Sequence, residues 1–355
     1  MRILIATDAW HPQVNGVVRT LTSLARAAAQ LGVEIEFLTP DGFPSMAVPT
    51  YQSLRVALPN RGEIARRIEA AAPEAIHIAT EGPIGWAVRG YCRRNKLAFT
   101  TSYTTRFPEY ISVRTGIPAS VGYAVLRQFH GAAAMTMVAT PSLRQELSER
   151  GFKKLGFWTR GVDTALFTPD DPAPLDLPRP IFMTVGRVAV EKNLEAFLSL
   201  DLPGSKVVVG DGPQKAELER KFPAAHFLGE KTGKDLSSHM AAADVFVFPS
   251  LTDTFGVVQL ESLACGVPVA AFPVTGPLDV IADHPIGALD KDLRAACLRA
   301  LPTSREMSRE TCRAFALERS WENSARQFIG NLSQLQPSRL PRPSRVATSG
   351  SPVRG

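Results

Sequence analysis

No apolar run in the 355-residue chain approaches the roughly 18 residues that a membrane-spanning helix needs. Cysteine is scarce as well. Cys92, Cys265, Cys297 and Cys312 form no CxxC pair and no cluster with His, which excludes a disulfide framework or a structural zinc as the organising device. The opening MRILIATDAW has neither an h-region nor a small-residue cleavage site, so no signal peptide is expected and the expected location is the cytoplasm, peripheral to the inner membrane at most. A strong charge of one sign is also lacking. Forty Lys and Arg stand against 34 Asp and Glu, and four of the six surplus positive charges are Arg339, Arg342, Arg345 and Arg354 near the end. The remainder is nearly balanced and does not carry the footprint of a dedicated nucleic-acid binder.

What is present is an alternation of short β-like runs with helical periodicity, the signature of parallel sheets covered on both faces. Arg2 to Thr7 reads as a strand, and Val17, Val18, Leu21, Leu24, Ala25, Ala28 and Leu31 then recur at helical spacing up to the stop at Gly32. Further strands are expected at 34–38, 75–79, 98–102 and 135–139, with helices around 64–71, 83–94 and 142–150. TPDDPAPLDLPRP is too rich in Pro and Asp for a helix or a central strand. The alternation restarts after it, with strands at 181–185, 206–209, 244–248 and 267–271, and helices beginning near Glu191, Pro213, Lys234 and Val257. The fold class is therefore α/β, with a first domain over 1–168, a linker over 169–180, a second domain over 181–336 and a disordered basic tail over 337–355. Two doubly wound domains facing each other leave a cleft, where ligands bind beyond the carboxyl ends of the strands.

In the second domain the residues of chemical interest all follow expected strands and so gather at one sheet edge. Arg187 and Lys192 place two cations there, which suits a diphosphate; read in isolation they also fit a solvated loop. Asp253-Thr254-Phe255-Gly256 leads into a helix at about Val257, where Gly256 allows close approach to N–H groups at a helix N-terminus. Glu261 lies one turn into that helix. A carboxylate there suits a ribose diol, and Asp253 suits another polyol, although two acids so spaced also fit a helix-end acid and a solvated face.

GRVAVEKN, VVGDGP and above all SLTDTFGVVQLESLACGVPVAAFPVTGP resemble the retaining family 4 glycosyltransferases of GT-B fold, with Asp253 and Glu261 in the two places of the E-x7-E pattern. TDAWHPQVNGVVRT, SYTTRFPEY and FHGAAAMTMVATPS are similar to that family's opening loop and middle segments, so the resemblance spans about 1–330. Within the family the chain looks closest to bacterial lipid glycosyltransferases that place mannose, glucose or glucuronic acid on diacylglycerol-type acceptors. The resemblance implies two Rossmann-like domains and a UDP- or GDP-hexose donor, with no further cofactor and no metal. It implies that Arg187 and Lys192 hold the donor diphosphate, and that Phe255, Gly256, Val257 and Val258 offer backbone contacts. Asp253 would hold sugar hydroxyls and Glu261 the ribose. Asn15 and Gly16 would face the reacting centre across the cleft.

One departure stands out. The family usually has His where this chain has Thr104, and a hydroxyl is a far poorer proton acceptor than imidazole. Retaining members of the fold let the departing phosphate take the acceptor's proton, so the substitution implies reduced or altered activity rather than none. Arg106 and Glu109 lie in the same segment and are candidates for the acceptor side. His130 and His77 read as structural, and Asp170-Asp171 belongs to the linker rather than to a metal-binding DxD. Arg61, Arg66, Arg67, Arg93, Arg94 and Lys96, with the tail, are candidates for contact with an anionic membrane. The alternatives are a catalytically degenerate sugar-nucleotide-binding or adaptor protein, and a nucleotide-sugar epimerase.

Overall fold

The computed structural model describes residues 1–11, 16–48, 51–282, 284–301 and 308–334. Two six-stranded parallel sheets form its centre. The first contains β1 (Arg2–Ala6), β2 (Glu34–Leu38), β5 (Ala75–Ile78), β6 (Thr100–Ser102), β7 (Met135–Val138) and β8 (Leu155–Phe157), in the order β2-β1-β5-β6-β7-β8. A hairpin of β3 (Ser45–Val48) and β4 (Tyr51–Ala57) stands apart from it. The second sheet contains β9 (Ile181–Val185), β10 (Ser205–Val209), β11 (His226–Phe227), β12 (Val245–Phe248), β13 (Val269–Ala271) and β14 (Gly287–Leu289). Its order, β11-β10-β9-β12-β13-β14, is that of a doubly wound nucleotide-binding sheet, and the order in which strands are added reverses between β9 and β12, which run parallel.

The expected periodicities are what the chain buries. Helix Gly16–Gln30 covers the first sheet with Val18, Leu21, Leu24, Ala27 and Ala28. β12, VFVF, is buried at every position, as a strand covered on both faces must be. Asn60 caps helix Arg61–Ala71 by accepting from the Glu63 N–H at 2.8 Å.

The ends of the domains depart from expectation. The chain leaves β8 at Phe157, and by Val162 and Phe167 it is already part of the second domain's core. The Pro- and Asp-rich segment lies against that domain, with the Ala173 N–H donating to the Ser238 carbonyl and Arg179 paired with Asp244. Helix Trp321–Ser333, expected in the second domain, instead returns to the first. Its Ala325, Phe328 and Leu332 fill a face formed by Ile3, Ile5, Met137 and Trp158, because that face of the first sheet would otherwise remain uncovered. The Trp158 indole N–H donates to Ser324 at 3.1 Å. The tail beyond residue 334 lies outside the described residues. Among the described residues no helix is long and apolar enough to cross a membrane.

Candidate active site

The loops leaving β9, β10 and β12 converge. Gly210, after β10, has φ 149° and packs so closely that a Cβ would lie 1.9 Å from the Gly186 carbonyl oxygen. Only glycine lets these two loops touch. Across from them Lys192 donates to both oxygens of Asp253, at 2.8 and 2.7 Å. Burial works against the lysine's charge, but Asp253 more than compensates and holds its pKa above the ordinary value. Arg187 stands on the preceding turn, 3.8 Å from Glu191. The Asn193 amide donates to the Pro249 carbonyl, tying the β9 loop to the end of β12.

Gly256 precedes helix Val257–Ala264 with φ 76°, and a Cβ there would meet the Phe248 ring at 2.6 Å. Conformation and space both demand glycine. No side chain caps this helix, which leaves the N–H groups of its first turn without a capping partner, and Val258 of that turn lines the same small pocket as Arg187 and Lys192. The Phe255 ring is buried in the core and its carbonyl accepts from Gln259 at 2.7 Å. Glu261, one turn on, is 7% exposed. Burial raises its carboxyl pKa, opposed by Arg19, and Oε2 has no hydrogen-bond partner among the described residues.

Two residues that the sequence did not single out join the site. Arg19, one turn into helix Gly16–Gln30, reaches Glu261 Oε1 across the cleft at 3.5 Å. Tyr110 is half-buried, and desolvation and the charge of Asp253, in that order, raise its hydroxyl pKa. Its position directly after Glu109 was the available signal. Gly16 heads its helix, and a Cβ there would meet nothing within 4 Å. Asn15 lies outside the described residues. Thr104 joins the domains through its backbone, its carbonyl accepting from the Thr254 hydroxyl at 2.8 Å, while its own hydroxyl is buried without a partner among the described residues.

The other candidates of the first domain are held by neighbouring side chains of that domain. Arg106 forks onto Glu146 at 3.0 and 2.6 Å, and Glu109 accepts from the Tyr123 hydroxyl at 2.5 Å. Arg106 Nε and Glu109 Oε2 remain without partners among the described residues. His130 sits between Thr101 and Glu81, at 2.8 and 3.2 Å. His77 sits between Thr100 and Ser102 at 2.8 and 2.7 Å, its pKa lowered to about 3 by burial and by nearby Arg160. Arg66 and Arg67 are both held by Glu63, whose carboxyl they pull down to about 2, so one of these two positive charges is offset within the helix.

The sheet edge therefore combines two cations after β9 with an acid, a glycine-headed helix and a second acid within that helix after β12, opposite a second sheet of similar build. Residues 14–166 match the family model described as Glycosyltransferase Family 4, and residues 179–301 match that of Glycosyl transferases group 1. A GDP-mannose-dependent alpha-mannosyltransferase of Mycobacterium tuberculosis is 28% identical over 96% of this chain and 98% of its own length. The alpha-monoglucosyldiacylglycerol synthase of Streptococcus pneumoniae is 27% identical over 91% of this chain and 83% of its own. Among solved structures, the sucrose-phosphate synthase of Thermosynechococcus elongatus superposes with a TM-score of 0.76 at 20% identity, over 94% of this chain and 98% of that one. The two models together match well over half of the chain, which belongs to the group 1 and family 4 glycosyltransferases of GT-B fold, enzymes that move a sugar from a nucleotide sugar.

Proposed function

We propose that the chain is a retaining α-hexosyltransferase that moves mannose, glucose or glucuronic acid from a UDP- or GDP-sugar to a diacylglycerol-type glycolipid precursor at the cytoplasmic face of a membrane. The observation that carries this reading is the two-point hold of Lys192 on Asp253 beside Arg187 and the open helix head at Val257. An ammonium has three protons; two are on Asp253, and the third serves a phosphate. Arg187, Lys192 and the N–H groups of Val257 and Val258 receive the charge that develops as the bond from the sugar's anomeric carbon to the diphosphate breaks. These groups neutralise the leaving group, so the reading needs no metal and no cofactor besides the donor.

Asp253 accepts hydrogen bonds from donor-sugar hydroxyls, and the unpartnered Glu261 Oε2 accepts from the ribose. The acceptor oxygen bonds to the anomeric carbon on the face that the phosphate leaves, and its proton passes to the departing phosphate oxygen, which preserves configuration. Thr104 contributes a hydroxyl to the sugar in place of an imidazole. Asn15, Gly16, Arg106 and Glu109 border the acceptor. The alpha-mannosyltransferase and the diacylglycerol-linked glucosyltransferase among the relatives support both the donor class and the acceptor class.

The test is incubation with labelled GDP-mannose or UDP-glucose and diacylglycerol in mixed micelles, with the product's anomeric coupling read by NMR. An α-linked glycolipid is expected. A β-linked product overturns retention, and donor binding without turnover favours the degenerate sugar-nucleotide-binding reading, which rests on Thr104.

A further inference from the structure

The larger described cavity is not at the donor loops, which enclose only about 20 Å³, but at the hinge, where about 400 Å³ lies between the domains. The two chain crossings run side by side there, joined by a parallel bridge between Val162 and Ser320. Phe255, Leu260 and Val280 give the cavity an apolar wall. Thr140 and Ser320, which also line it, cap helices Pro141–Glu149 and Trp321–Ser333, so two helix N-termini border the same space.

Arg160 is part of this wall and is 6% exposed. Its Nη1 donates to the Trp158 carbonyl at 2.7 Å and its guanidinium stacks 4.2 Å from the Trp158 ring centre. Nε and Nη2 donate to no described residue, and no described carboxylate pairs with the charge. Burial alone acts on the group and lowers its pKa to about 10. The acids on the wall are engaged elsewhere. Asp279 accepts from the Ser142 N–H and hydroxyl and from the Gly276 N–H, and Glu318, 79% exposed, pairs with Arg319 at 3.6 Å. A buried guanidinium without a counter-charge is costly, and an oxyanion on its two remaining donors offsets that cost.

We propose that the hinge cavity is a second anion site, in which Arg160 binds the phosphate or carboxylate of a small molecule whose body packs on Phe255, Leu260 and Val280. Phe255 immediately precedes Gly256, so an occupant also braces the head of the donor helix.

Titration calorimetry of inorganic phosphate, glycerol phosphate and citrate tests this, using the full chain at an ionic strength fixed with chloride. An Arg187→Gln, Lys192→Gln background keeps the donor loops from competing. One saturable site is expected for at least one probe, weakened at least about tenfold by Arg160→Gln. Binding of the phosphates alone assigns the phosphate class, and binding of citrate alone assigns the carboxylate class. Thr159→Glu should weaken binding similarly; Thr159 is an exposed wall residue, so this variant keeps the test decisive if Arg160→Gln does not fold. Binding that survives both Arg160→Gln and Thr159→Glu overturns the proposal. So does binding that is lost with the donor-loop substitutions, or no saturable binding of any probe up to about 10 mM.

Discussion

Strand order reverses at corresponding places in the two parallel sheets, between β1 and β5 and between β9 and β12, and the chain treats the two places oppositely. After β1 comes Asp8, whose carboxylate accepts from the N–H groups of Ile84 and Gly85 at 2.8 and 3.2 Å and from the Thr80 hydroxyl at 2.9 Å. The helix head of the first domain is thus filled by an acid of the chain itself. A Cβ on Gly82 would lie 2.4 Å from that carboxyl, so little room remains for anything else. After β9 comes Gly186-Arg187, and the helix that follows β12 has no side-chain cap. One sheet brings its own anion, and the other brings cations for an anion from outside. On the proposed reading, this difference is the reason that the second domain takes the donor and the first is left for the acceptor, although both present strand ends of the same topology.

The largest effect expected from this contrast is on catalysis. Lys192→Ala should lower kcat/KM for the donor by about 10²- to 10³-fold, the scale seen when one preorganised group at a developing charge is removed. Steady-state kinetics on the folded variant checks it, and a change below about threefold breaks the contrast. Next comes stability. Asp8→Ala should cost about 3 kcal/mol in urea unfolding, because three donors lose one buried acceptor. The folded fraction should keep near-normal turnover.

Glu261→Gln sharpens the comparison through pH. The folded state raises the pKa of Glu261 by burying it, so ionisation at neutral pH opposes folding, and the penalty is relieved as pH falls through the raised value. The glutamine variant should therefore be more stable than the parent at pH 7, with the gap closing in acid, while donor use falls about tenfold. Thermal melts from pH 4 to 8 decide the sign. His77 behaves differently. With its pKa lowered to about 3, it binds a proton only on unfolding, so stability declines as pH falls below about 6.5. The smallest effect is expected of Thr104→His, a rise in turnover of a few fold, checked with saturating donor.

How much of this could be read beforehand follows the reach of the interactions. Strands β2 and β9 fall at their expected limits, and Lys192 and Asp253 meet because each follows a strand of one sheet, which local periodicity reveals. Arg19 and Glu261 are 242 residues apart, and no spacing rule pairs them. An acid after a strand has the same local signature whether it caps a helix 76 residues on, as Asp8 does for Ile84, or faces solvent. Arg106 and Glu109 show the converse: their segment is legible in the sequence, but the partners that hold them, Glu146 and Tyr123, lie on two other helices. The return of helix Trp321–Ser333 to the first domain escaped for a related reason, since its apolar stripe fits any uncovered sheet face and only the assembled molecule shows which face is bare.

The central claim is that the donor diphosphate is held by the second domain's loops and by nothing at the corresponding edge of the first. Calorimetric titration of UDP and GDP into the parent, Arg187→Ala and Asp8→Asn chains tests it most directly. One nucleotide should bind the parent, Arg187→Ala should weaken that binding at least about tenfold, and Asp8→Asn should leave it within about twofold. Undiminished binding by Arg187→Ala together with its loss in a folded Asp8→Asn chain would place the diphosphate in the first domain and contradict the account.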